Sequence, residues 1–147
     1  MRENRHFLTM IQKTRTYSEL RRYETFEERY EYLNLNGVVG EDTFGFDRWI
    51  NQHFYASRQW KQVRSVVILR DHGCDLGIFG YEIFTDLMVH HMNPLTRTAI
   101  HHGEEWILDP EFLVTTSLRT HNAIHYGDRS QLPRVYSERK AGDAKLW

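Results

Sequence analysis

Two short β-prone runs, together with the segments directly after them, limit the architectures open to this chain. Phe112-Leu113-Val114-Thr115-Thr116 is rich in apolar and β-branched residues and leads straight into a segment bounded by Ser117 and Gly127. Ser117 or Thr120 can cap a helix there, and Gly127 can end it. An earlier run from Glu82 to His91 carries Ile83, Phe84, Leu87, Met88 and Val89, and predicts a strand that ends at the adjacent histidines His90 and His91. If the two runs pair, the chain has an α+β core in which two strands are followed by a helix.

The same segments carry the chemistry. His121 and His125 stand four residues apart, so a helix presents both imidazoles on one face. Neighbours in a strand point to opposite sides. Only one of His90 and His91 can therefore join them around a divalent metal, and the other is free to face a substrate and take a proton from water. Borderline metals suit imidazole ligands. His101 and His102 form a further adjacent pair, expected on a solvated helix end, in a chain with nine histidines.

Elsewhere the pattern is helical. Residues 1–15 read as a polar arm. Thr25 and Glu28 form a capping box for a helix with Phe26, Tyr30 and Leu33 on one face, stopping near Asn36-Gly37. A connector runs from Gly37 to Gly45, and Trp49, Ile50, His53 and Phe54 suit a second helix. Ser57 caps a third, whose buried face is Trp60, Val63, Val67 and Ile68, with Lys61, Arg64 and Ser65 mostly outside. His72-Gly73 ends it, and Gly73, Gly77 and Gly80 mark turns. Leu95–His102 is a short helix ending at Gly103, and Asp109-Pro110 is a turn. In the tail after Asp128, Leu132, Val135 and Trp147 are the candidate anchors.

A chain of 147 residues fits one compact unit. The single cysteine, Cys74, excludes an internal disulfide and a four-cysteine zinc knuckle. With no apolar run of spanning length and no leader-like start, the expectation is a soluble cytoplasmic protein without membrane partners. The net charge of −1 gives no global attraction to nucleic acid, but Arg48 to Arg70 holds five cations and no acid, whereas acids gather between Glu24 and Asp47. The basic stretch is either a phosphate-facing surface or a solvated helix face.

The order of these features resembles the HNH endonucleases. Ser57–Arg64, with Trp60, and Val67–Cys74, with Arg70-Asp71 before a Cys-containing turn, look like that family's lead-in. His90-His91-Met92-Asn93-Pro94 looks like its first motif, and Thr115–His125 like its closing strand and helix. The likeness covers about residues 57–128. It extends more loosely, through Phe44-Gly45-Phe46-Asp47 and the closing Leu-Trp, to the small HNH proteins of bacteriophages.

The resemblance implies a ββα-metal (His-Me finger) core over 57–128, with a helical arm (1–56) packed on it and a tail (129–147). It implies that His90, His121 and His125 ligate one divalent metal (Mg, Mn, Ni or Zn) and that His91 is the general base. The implied activity is single-metal hydrolysis of double-stranded DNA, with a role in phage genome processing or packaging and terminase as a partner. In a phage setting the compartment is the host cytoplasm.

Arg70, Arg119 and Arg129 are candidate phosphate clamps; each could equally be solvated or paired with a carboxylate such as Asp71. Two departures from the family stand out. Phe112 occupies the position of the usual middle asparagine, with Asn93, Asp109 or Glu111 as candidate substitutes. Cys74 is alone, so no structural zinc is expected, and packing by Trp60, Phe79, Phe84 and Trp106 is expected to stabilise the core instead. Two other classes remain: a non-catalytic nucleic-acid-binding module on the same fold, and a closed structural metal site.

Overall fold

Helices start here where a side chain can accept an orphaned backbone N–H. The structure is a computed structural model and describes residues 13–35 and 48–133. Thr16 caps a one-turn helix, α1 (Tyr17–Leu20), that the sequence pattern did not predict. The Thr25–Glu28 capping box opens α2 (Phe26–Leu33), which buries Phe26, Tyr30 and Leu33 as their spacing predicts. The helix ends at its C-cap, Asn34, before the expected stop; the Asn36-Gly37 stop, the Gly37–Gly45 connector and Phe44–Asp47 lie outside the described residues. Ser57 separates α3 (Arg48–Ala56) from α4 (Arg58–Arg70), and its hydroxyl accepts from Trp60 N.

The two β-prone runs pair. β1 (Leu87–His91) and β2 (Leu113–Ser117) form a two-stranded antiparallel sheet, with His90 opposite Val114 and His91 opposite Leu113. A short helix, α5 (Arg97–His101), lies between them in sequence. Directly after β2, Ser117 caps α6 (Leu118–Tyr126), and Gly127, at φ 67°, supplies the left-handed residue that ends it. The described residues thus form an α+β architecture.

Alternation along β1 decides what each histidine meets. His90 shares a face with Val114, and that face belongs to a core shared by Leu20, Tyr30 and Leu33 of the first helices, Met92, and Ala123 and Ile124 of α6. His91 shares the other face with Val89 and Leu113, where Trp60 and Val67 of α4 pack.

A two-stranded sheet leaves unpaired backbone groups along its outer edges. On β2 that edge is covered by side chains instead of a third strand. Arg70 Nη2 donates to Leu113 O at 2.7 Å, Asp71 Oδ2 accepts from Thr115 N at 2.8 Å, and Asp75 Oδ1 accepts from Ser117 N at 3.1 Å. Asp75 Oδ2 also accepts from the hydroxyls of Ser117 (2.8 Å) and Thr120 (2.6 Å). One buried carboxylate therefore joins the end of β2 to the first turn of α6.

Several expectations need correction. The strand expected from Glu82 is shorter, because Glu82 makes only an isolated bridge to Cys74 and Asp86 turns left-handed at φ 56°. Phe79 and Phe84 are not core residues, being 73 % and 92 % exposed. Positive φ at Gly77, Gly80 and Asp86 loops that segment outward, and the buried apolar residue there is Leu76. Trp60 is buried as expected, and Trp106 only half so. The end of the polar arm is anchored: Arg15 N donates to Asn93 Oδ1 and Asn93 Nδ2 donates to Arg15 O, at 2.7 and 2.9 Å. Leu132 packs against the core, while Val135 and Trp147 fall outside the described residues.

Candidate metal centre

The end of β1 and a half-buried side of α6 bring three histidines together. One ring nitrogen from each of His90, His121 and His125 lies within 4.8 Å of the others. The His121 and His125 rings are 4.3 Å apart, and each stands edge-on to His90 at 5.2 and 5.1 Å. His90 Nε2 and His121 Nδ1 are buried without a hydrogen-bond partner. A buried polar atom left unpaired is costly, and two such nitrogens on rings of one cluster match what a cation would satisfy.

The electrostatics agree with that fit. Burial, with the neighbouring His121 and His125, holds His90 well below the usual imidazole range. Burial and His125 push His121 down to about 4, opposed by a hydrogen bond that the ring donates to the Asn122 side chain, and burial also lowers His125. Near neutral pH all three rings are therefore uncharged and carry free lone pairs, the form that binds metal.

His91 sits on the opposite face and is held differently. Its Nε2–H donates to Ile107 O at 2.9 Å, so the neutral ring carries its proton there and keeps the lone pair on Nδ1. The ring lies flat on Trp60, 5.2 Å away at 17°, with Phe54, Tyr55 and Trp106 around it. Burial pushes it down to about 4, opposed by the Ile107 carbonyl.

All four histidines line one cavity of about 440 Å³. The neighbours in sequence thus face two environments and still reach one space.

The arginines expected to clamp phosphate lie elsewhere. Arg70 is spent on structure, donating to both oxygens of Asp71, to Pro110 O and to Leu113 O, with its guanidinium 3.5 Å over the Tyr17 ring. Arg119 donates to Gln131 O and lines a different cavity beside Asp75, Glu82 and Asp86. Arg129 pairs with Glu31. Among the described residues, the Arg or Lys that does line the histidine cavity is Arg64, which was expected mostly outside the buried face of its helix. It stands one turn after Trp60 on α4, and that spacing was the available signal. The Ile107 carbonyl had none, since a backbone group reached through tertiary folding leaves no mark in the sequence.

Of the candidate substitutes for the missing asparagine, Asn93 holds Arg15, Asp109 caps Glu111 N, and Glu111 accepts from Ser18 N. None of these bonds goes to His91. Phe112 contributes its carbonyl, which accepts from Met92 N. Cys74 is buried, with its thiol pushed up by burial. His101 and His102 are exposed at the end of α5.

Comparison with protein-family models, curated proteins and solved structures found no match. No helix among the described residues is long and apolar enough to cross a membrane.

Proposed function

We propose that this chain is a metal-dependent DNA endonuclease of the HNH class. The observation that carries the proposal is the convergence of His90, His121 and His125, two of them with unpartnered buried ring nitrogens, in a cavity that His91 also lines. Three neutral imidazoles would hold one divalent cation and leave coordination positions open, as catalytic rather than closed structural sites do. When bound, such a cation supplies Lewis-acid stabilisation of charge on phosphodiester oxygens.

The chain's own residues supply the rest. His91 takes the proton of the attacking water at Nδ1. Its tautomer is set by the Ile107 carbonyl, and its ring plane is set by Trp60. A base held in one orientation loses less on reaching the transition state than one that must be oriented first. The low pKa keeps the ring in its basic form at neutral pH, at some cost in proton affinity. The resemblance to phage proteins extends the proposal to genome processing or packaging, with terminase as partner.

The test is nicking of supercoiled plasmid with magnesium, manganese, nickel or zinc, against an EDTA control. Metal-dependent nicking that His91→Ala abolishes supports the assignment. Salt-sensitive DNA binding with no cleavage under any of these metals selects the accessory-module reading instead.

A further inference from the structure

We propose that Arg64 is the phosphate-binding cation of the histidine cavity, holding a backbone phosphate of the DNA strand whose cleavage is proposed above. The inference rests on that reading for its ligand, but its evidence is separate. Among the described residues, the lining of the cavity includes Arg64 and no aspartate or glutamate. The other cavity has the opposite character, with Asp75, Glu82 and Asp86 around Arg119. A half-open cavity lined by a guanidinium and no carboxylate attracts an anion, because no internal partner competes for the charge.

The geometry of Arg64 fits this role. It is half-buried, and its only hydrogen bond among the described residues is a long one, 3.3 Å, from Nη2 to Leu87 O at the start of β1. That bond steers the side chain along the strand that carries His90 and His91, while Nε and Nη1 have no hydrogen-bond partner among the described residues. The second Nη2 N–H lies on one edge of the guanidinium with a free neighbour, Nε or Nη1, and that edge of the planar fork matches two oxygens of a phosphate. Trp60, one turn earlier on α4, holds His91, so one helix face would position both the proton acceptor and the strand being cut. At about 3.3 Å per residue, Leu87 is roughly 10 Å along β1 from His90. Arg64 is thus placed for a phosphate beside the scissile one, which makes it a binding group and not a catalytic residue.

The test separates binding from cutting. Anisotropy of a labelled DNA duplex is measured with the full chain in EDTA over a range of salt concentrations. Arg64→Gln is expected to weaken binding about tenfold, as loss of a charge-assisted bidentate pair implies. It should also lower the slope of log affinity on log salt by about 0.9, one phosphate contact. Arg119→Gln and Arg129→Gln should leave both unchanged. With metal, Arg64→Gln should raise KM and spare kcat.

Wild-type affinity and slope for Arg64→Gln overturn the assignment, as does the same loss from Arg119→Gln or Arg129→Gln in its place. Should the glutamine variant melt early, Arg64→Lys decides. Keeping the charge without the fork, it should retain the slope and bind several-fold more weakly, and wild-type affinity overturns the bidentate role. DNA binding that depends on Arg64 without cleavage by any metal sinks the nuclease proposal and keeps this one. Cleavage that is indifferent to Arg64 does the reverse.

Discussion

Replacing Asp75 with alanine should loosen the junction on which the histidine cluster depends. The carboxylate is 2 % exposed and accepts three hydrogen bonds, from Ser117 N, Ser117 Oγ and Thr120 Oγ1. Hydrogen bonds to a charged acceptor contribute about 1.5–3 kcal/mol each. Three that share one group are not additive. Burial pushes the Asp75 carboxyl up despite these donors, so part of their gain is offset by desolvation. The net loss on truncation should be about 3 kcal/mol, a large share of a typical domain's stability of roughly 5–15 kcal/mol. For a chain of this size that lowers the melting temperature by about 10 °C. Asp75→Asn keeps one acceptor oxygen and removes the buried charge, so it should cost only about 1 kcal/mol. Urea and thermal unfolding of the metal-free chain, followed by circular dichroism, measure both. A loss below about 1 kcal/mol for the alanine variant refutes the idea that this carboxylate ties β2 to α6.

His91→Ala should cut the rate of plasmid nicking by about 100-fold or more, the range of general-base catalysis, while leaving metal-induced thermal stabilisation in place. His125→Ala should remove that stabilisation, which for the wild type is about 2.7 kcal/mol at a metal concentration 100 times Kd; an unchanged nickel- or zinc-dependent melting shift refutes its role as a ligand. In EDTA the chain should lose stability as pH falls from about 6.5 toward 4. The folded pKa of His91 is depressed to about 4, so the unfolded chain binds the proton first, and stability present above 6.5 is lost on acidification. That one group accounts for roughly 3 kcal/mol by pH 4, and a flat stability profile over this window contradicts its burial as a neutral ring. Trp60→Ala should cost about 3 kcal/mol by emptying the core beside Val67 and Leu113, and should lower nicking beyond that by freeing the His91 ring.

Local chemistry was legible where a side chain acts on its own segment. The Thr25–Glu28 box, the Ser57 cap and the Gly127 stop are contacts within a few residues and occur as the sequence predicts, and of the two caps it offered for the last helix, Ser117 and Thr120, the structure uses Ser117. The opposite orientations of His90 and His91 follow from strand alternation alone, and the shared face of His121 and His125 follows from the helical repeat. The expectation for the core failed where two options had similar local cost. Phe79 and Phe84 look like core residues by type, yet a left-handed turn at each side of their loop sends them to solvent. Arg70, Arg119 and Arg129 are equivalent as isolated guanidinium groups, and only their neighbours separate them from Arg64.

Backbone periodicity and caps a few residues away, both written in the amino-acid order, set which residues form the strands and helices and which side of each element a histidine occupies. Folding in three dimensions was needed to bring the imidazoles of β1 and α6 within one coordination sphere's reach. It was needed as well for Ile107 to hold His91, for Asp71 and Asp75 to cover the edge of β2, and for Arg64 to be the arginine at the cavity. Each of those contacts joins residues far apart in the chain, and their cost and gain are set by burial that no local pattern records.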